Sequence, residues 1–196
     1  MYLSRASARA YVSALVLGLS LAASSFAEDE QINSPSTVSI DNFGRVNDNY
    51  YRGAQPDPED YADLAALGIR TVIDLRDDGE VMEVDHVRRA GMTFYRIPMT
   101  TSAQPAPAAV TQFLSLVNDP VNQPVYVHCV GGRHRTGIMT AVYRMTQDGW
   151  TADRAYKEMQ QYGFGAAFLH SALKNFVYDY YGRLDRATPV AAGAGG

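Results

Sequence analysis

The chain has 196 residues, with 17 basic and 21 acidic side chains, a single cysteine and a formal charge of −4. That balance excludes nucleic acid and an anionic membrane surface as main partners, since both select clustered positive charge. One cysteine leaves no internal disulfide, and the length suits one domain around one core.

Residues 1–27 read as a secretion signal. Arg5 and Arg9 form a positive leader, Tyr11 to Ala23 is an apolar run, and Ser25-Phe26-Ala27 offers small residues for cleavage after Ala27. The run is short for a membrane span, which needs about 20 residues. The expectation is a periplasmic or secreted monomer with no membrane attachment once the leader is removed. Arg5 and Arg9 leave with it, so 15 basic and 21 acidic residues remain and the formal charge becomes −6.

Glu28 to Asp41 is polar and aperiodic, so a flexible arm is expected over 28–41, ahead of a folded domain over 42–183. Val46 to Arg52 reads as a short edge strand, followed by a Pro56-Asp57-Pro58 turn. A helix runs from Pro58 to Leu67 and stops at Gly68. Thr71 to Leu75 is a β-branched run of the buried-strand kind. Gly79 or Glu80 to Ala90 is the next helix, Phe94 to Ile97 a strand, Pro98 to Pro107 a loop, and Ala108 to Val117 a helix. Val125 to His128 is a strand, followed by helices at Gly137–Gln147, Ala152–Gln161 and Phe168–Tyr180. A disordered tail is expected over 184–196. This alternation predicts an α/β fold with a central, mainly parallel sheet of four to five strands flanked by helices. In such sheets ligands bind beyond the carboxyl ends of the strands.

The strand Val125–His128 delivers His128-Cys129-Val130-Gly131-Gly132-Arg133-His134-Arg135-Thr136 to that edge. A cysteine, a five-residue spacer, an arginine and a threonine meet the needs of cysteine-dependent phosphate ester cleavage. The spacer (Val130, Gly131, Gly132, Arg133, His134) can curl into a cradle whose N–H groups point at a phosphate. Arg135 closes the cradle with a fork for two phosphate oxygens. Cys129 would attack as a thiolate, favoured by the helix start and nearby cations. Thr136 can hydrogen-bond the sulfur as it leaves. His128 supports the loop from beneath. None of these roles needs a metal or another cofactor, and the implied partner is a phosphorylated protein or small phosphorylated molecule.

This loop resembles the signature of the cysteine phosphatase superfamily. Asn42-Phe43-Gly44-Arg45-Val46 and Tyr51-Arg52-Gly53-Ala54-Gln55-Pro56 are similar to the opening of the atypical dual-specificity phosphatases of fungi, plants and bacteria. Gly149-Trp150, Glu158-Met159 and Gly163-Phe164-Gly165 resemble the bacterial periplasmic tyrosine phosphatases of that group. The resemblance covers roughly residues 42 to 181 and implies a cysteine phosphatase-like fold and a phosphocysteine intermediate.

It also implies an aspartate about 30 residues before the cysteine as proton donor, and here the chain departs. No carboxylate occurs between His86 and Asn118. Asp119 precedes the strand leading to Cys129 and so belongs to the opposite edge of the sheet. The alternatives are Asp77, Asp78 and Glu80, which follow a strand ending at the catalytic edge, and His134 within the loop. Acids are also common at a turn and helix start, and His134 also reads as one more cationic loop residue. A weak donor favours good leaving groups, hence phosphotyrosine-like aryl esters or anhydrides over alkyl esters. The Arg133-His134-Arg135 run also resembles the group acting on inositol pyrophosphates, whose dense charge suits extra cations. A weakly active phosphate-binding module is a further alternative. A sulfur-transfer or arsenate-reducing enzyme is disfavoured by Arg135-Thr136 and by the lack of a second cysteine. Arg52 and Arg76 either line the pocket or pair with acids, and His86 and His170 have no assigned role.

Overall fold

The computed structural model describes residues 38–166 and 170–187. The leader, the arm as far as residue 37 and the tail from residue 188 lie outside the described residues. In chain order the elements are β1 (Gly44–Asn47), β2 (Tyr50–Gly53), α1 (Asp60–Ala66), β3 (Thr71–Arg76), α2 (Glu83–Arg89) and β4 (Thr93–Met99). They continue with α3 (Pro107–Asn118), β5 (Val125–His128), α4 (Arg135–Gln147), α5 (Ala152–Gln161) and α6 (Ser171–Ala187). The sheet order is β1-β2-β5-β3-β4, parallel throughout except for the β1–β2 hairpin. This is the α/β fold expected. No helix among the described residues is long and apolar enough to cross a membrane.

Strand alternation sends Val72 to one face, against Tyr61, Leu64 and Val87, and Ile73 and Leu75 to the other, against Phe113, Val117 and Met139. Helices α1 and α2 therefore cover one side and α3 and α4 the other. α5 and α6 pack on α4 through Ala155, Met159, Leu173 and Phe176. At the carboxyl edge Gly53, His128 and Asp74 lie side by side in register. That alignment puts the segments after β2, β5 and β3 around one spot.

Several boundaries differ from the sequence reading. The expected strand Val46–Arg52 is two strands, because Asn47 Oδ1 accepts from the Asn49 N–H at 2.9 Å and turns the chain. α2 starts at Glu83, since its side chain is drawn into a buried ion cluster and the Glu80 carbonyl is held by Arg96. β4 runs on through Pro98, which an edge strand tolerates. α6 runs past the expected end at Tyr180 and carries Leu184–Ala187, the first part of the expected tail, while the expected start at Phe168 lies outside the described residues. The end of the expected flexible arm is also packed. Ile40 is buried with Phe43 and Tyr51, and Val38 packs against that cluster.

Candidate active site

Cys129 follows β5 directly and is buried at the foot of a loop that ends in α4. The loop's first three carbonyls are all held from outside. Val130 O accepts from the Gln55 N–H at 3.0 Å, Gly131 O from Asn42 Nδ2 at 2.7 Å, and Gly132 O from Arg52 Nη2. In a trans peptide the N–H points opposite to the C=O. The N–H groups of Gly131, Gly132 and Arg133 therefore face the concave side, and none donates to a described residue. Gly132 has φ +66°, and a side chain there would come within 2.5 Å of the Gly53 carbonyl carbon. Only glycine lets the loop curl this tightly against the end of β2.

Arg135, the first residue of α4, is buried over the same spot. Its Nη1 donates to the Met99 carbonyl at 3.1 Å and to Asp77 Oδ1 at 3.1 Å, with Asp78 Oδ1 at 3.5 Å. Its Nε is buried and has no partner. One nitrogen thus anchors the guanidinium while the Nε–Nη2 edge remains for a bidentate grip on an oxyanion. The Thr136 hydroxyl is likewise buried without a partner. At both groups the fold leaves hydrogen-bonding capacity unused.

Of the expected proton donors, Asp77 and Asp78 reach the loop, on the turn after β3. Glu80 touches the region only through its carbonyl, which accepts from Arg96. His134 turns the other way. Its Nε2 donates to the Phe164 carbonyl at 3.0 Å, and its ring lies 3.9 Å from that of His170. Burial, then His170, then the flanking arginines pull its pKa below the usual histidine value, with the Phe164 contact opposing them. His170, given no role from sequence, is therefore a contact of the loop.

Beneath lies a cluster that the sequence reading missed. Asp74 accepts from Arg76 Nε at 3.0 Å and Arg96 Nε at 2.9 Å. Glu83 accepts from Arg76 Nη2 at 2.9 Å and the Tyr61 hydroxyl at 3.1 Å, and its Oε1 lies 2.7 Å from His128 Nε2. Burial alone would push the Glu83 carboxyl up, but His128, Asp74 and Arg76 together hold it down at about 2. Asp74, Glu83 and His128 bring three ligand-type atoms within 4.8 Å of one another. Both carboxylates are engaged by guanidinium groups, so this is an ion-pair hub and not a cation site. It secures the end of β5 immediately before Cys129. Arg76 pairs with acids here and does not line a pocket.

A family model described as "DSP-PTPase phosphatase fused to NAD+ Kinase" matches residues 27–175. The chain belongs to this phosphatase family. It is 29% identical over 125 residues to the dual specificity protein phosphatase TpbA of Pseudomonas aeruginosa, covering 63% of this chain and 56% of the relative. It is 27% identical over 133 residues to the inositol diphosphatase SIW14 of Saccharomyces cerevisiae, covering 65% and 47%. The chain thus spans about half the length of these two curated relatives. Among solved structures, a cysteine-to-serine TpbA variant from P. aeruginosa in complex with phosphotyrosine matches with TM-score 0.65 at 26% identity. That match covers 82% of this chain and 99% of the other. The Siw14 core from S. cerevisiae, with TM-score 0.66 at 23% identity, covers 78% and 93% and shows the shared fold.

Proposed function

We propose that this chain hydrolyses phosphotyrosine-like phosphate monoesters through a phosphocysteine intermediate on Cys129. The observation that carries the reading is the loop itself. Its carbonyls are tied outward, its N–H groups face inward, and it is closed by an anchored arginine with one open edge. In the first step the Cys129 thiolate attacks phosphorus and the bond to the ester oxygen breaks. That oxygen leaves as the anion or takes a proton at the loop mouth, where Asp77 and Asp78 stand. In the second step water attacks phosphorus and the P–S bond breaks. A water proton passes to the same carboxylates or to solvent, and inorganic phosphate leaves. Thr136 donates to the departing sulfur, and Arg135 with the loop N–H groups matches the charge on the equatorial oxygens. TpbA, a relative bound to phosphotyrosine in its crystal structure, supports the substrate class.

Hydrolysis of p-nitrophenyl phosphate by the wild type and its loss in Cys129→Ser test the reading. Turnover that survives in Cys129→Ser overturns the mechanism, and no turnover in either protein favours a phosphate-binding module. Equal rates on aryl and alkyl phosphates would overturn the preference for good leaving groups.

A second reading, inositol pyrophosphates, draws on Arg133. This cation of the loop is exposed and makes no ion pair with a described residue, and the SIW14 relative is named an inositol diphosphatase. Turnover of an inositol pyrophosphate faster than of a phosphotyrosine peptide would favour it. Export is proposed from the leader over 1–27. A chain beginning at Glu28 in a periplasmic or culture fraction supports it, and an intact Met1 in the cytoplasm overturns it.

A further inference from the structure

Arg52 is a positive charge with no visible counter-ion. It lies in β2, and its side chain is fully buried beneath the phosphate loop. Nη2 donates to the Gly132 carbonyl, and the Tyr162 ring covers the flat guanidinium face at 3.8 Å. A side chain at Gly44 would run into the Tyr162 hydroxyl, so the glycine of β1 makes room for that cover. Nε and Nη1 are buried and have no partner.

The titratable groups facing Arg52 are Tyr50, Tyr162, Glu158 and Cys129. Glu158, the one acid among them, is gripped by Arg144 through Nε at 3.2 Å and Nη2 at 2.8 Å. No carboxylate among the described residues pairs with Arg52. Burial pulls its pKa down, yet a guanidinium keeps its proton inside proteins. A buried charge left unpaired is among the costliest features a fold can hold. Two options remain for an offsetting negative charge near it: Cys129 as a thiolate, and whatever anion the loop binds.

We propose that the active-site anion is the counter-ion of Arg52: the Cys129 thiolate in the unbound protein, joined by a phosphoryl group when the loop is filled. Arg52 is then a positioning residue with two linked effects. It ties the Gly132 carbonyl outward, which turns the Arg133 N–H inward, and its charge favours the thiolate from below. The other charged or titratable groups around Cys129 are His128 before it, Arg133, His134 and Arg135 in the loop, and Tyr126 on β5. Arg135 is anchored to Asp77 and the Met99 carbonyl and Arg133 is exposed, whereas Arg52 is fully buried behind the loop and has no carboxylate partner among the described residues. The inference rests on Cys129 being the nucleophile, as proposed above.

The test compares Arg52→Met, which removes the charge, with Arg52→Lys, which keeps it. The readouts are iodoacetamide alkylation of Cys129 against pH and binding of inorganic phosphate. Arg52→Met should alkylate about tenfold more slowly near neutral pH, with its profile displaced upward, and bind phosphate about tenfold more weakly. Arg52→Lys should recover most of both. If Arg52→Met does not fold, Arg52→Gln replaces it in the same comparison. Wild-type alkylation by the uncharged variant, or equal loss in both variants, overturns the proposal. Turnover of p-nitrophenyl phosphate, followed in parallel, tests the phosphatase reading separately. An inactive wild type that still shows the Lys-over-Met ranking supports the role of Arg52 while removing the enzyme reading.

Discussion

Two groups of buried charge meet at the carboxyl edge of the sheet, a few residues apart in register, and they are built on opposite principles. Under β3, Asp74 and Glu83 face Arg76 and Arg96, and each carboxylate is held by two guanidinium groups. Around Cys129, Arg52 and Arg135 keep buried nitrogens without partners, and Thr136 keeps an unpaired hydroxyl. A closed ion cluster spends its charge on holding strands together. An open one retains charge for something that arrives. The contrast separates arginines that maintain the fold from arginines left open to a ligand, although Arg76, Arg52 and Arg135 are all buried and share one sheet edge.

Changes in the open group should cost the most activity. Arg135→Lys keeps the charge but loses the fork, and turnover of an aryl phosphate should fall about 10³-fold. Folding should hardly change, because the Met99 carbonyl and Asp77 can still accept from an ammonium. A melting temperature that drops together with activity would make Arg135 a structural residue like Arg76.

Glu83→Gln attacks the closed group and should show the reverse pattern. It leaves Arg76 facing one carboxylate fewer and should cost about 3 kcal/mol near neutral pH. The sign of the pH dependence follows from the depressed carboxyl. A group held down from 4.5 to about 2 stabilises the fold above its unfolded value and loses that contribution as pH falls from 4.5 toward 2. Urea unfolding of wild type and Glu83→Gln should therefore converge over that acid range. A constant gap down to pH 2 would place the loss in packing and not in charge.

Asn42→Ala is expected to do less. It removes one of three outward anchors, the 2.7 Å bond to the Gly131 carbonyl. Catalytic efficiency should drop about tenfold and stability by about 1 kcal/mol. An effect as large as that of Arg135→Lys would mean that the cradle hangs on this bond alone.

The two groups also differ in how far they could be read from the chain. The open one is local. His128 to Thr136 is a single stretch in which strand end, glycines, arginine and helix start follow one another, so residue types and spacing carry its geometry. The closed one is assembled across β3, α2, β4 and β5 by parallel pairing, and no spacing rule links Asp74 to Glu83 or His128. Its one sequence signal is a carboxylate inside the run Thr71–Leu75, which the reading as a buried strand passes over. Arg52 was legible only as pocket-lining or acid-paired; no carboxylate among the described residues pairs with it, and it is buried behind the loop. Burial under the loop and the Tyr162 cover arise from the β1–β2 hairpin, which the sequence reading merged into one strand. The proton-donor candidates narrowed for a similar reason. Asp77 and Asp78 reach Arg135 because β3 runs two residues past the level of His128, the end of β5, while the late start of α2 leaves Glu80 attached by its carbonyl alone.

The smallest expected effect concerns the rim of the open group, where His134 is held by the Phe164 carbonyl and the His170 ring. The folded state disfavours protonated His134, so this site contributes least to stability at low pH. Its contribution is complete above the ordinary value of 6.5 and declines as pH falls below it. His170→Ala removes one of the causes, and burial and the arginines remain. The variant should therefore lose less stability than wild type between about pH 7.5 and 5.5, with melting temperatures drawing together by about 2 °C. Turnover should change little, because the ring faces Phe164 and not the cradle. Should His170→Ala instead abolish the acid limb of the activity profile, the proton donor would be His134 and not the carboxylates beside Arg135. The open group would then extend to the α5–α6 connection.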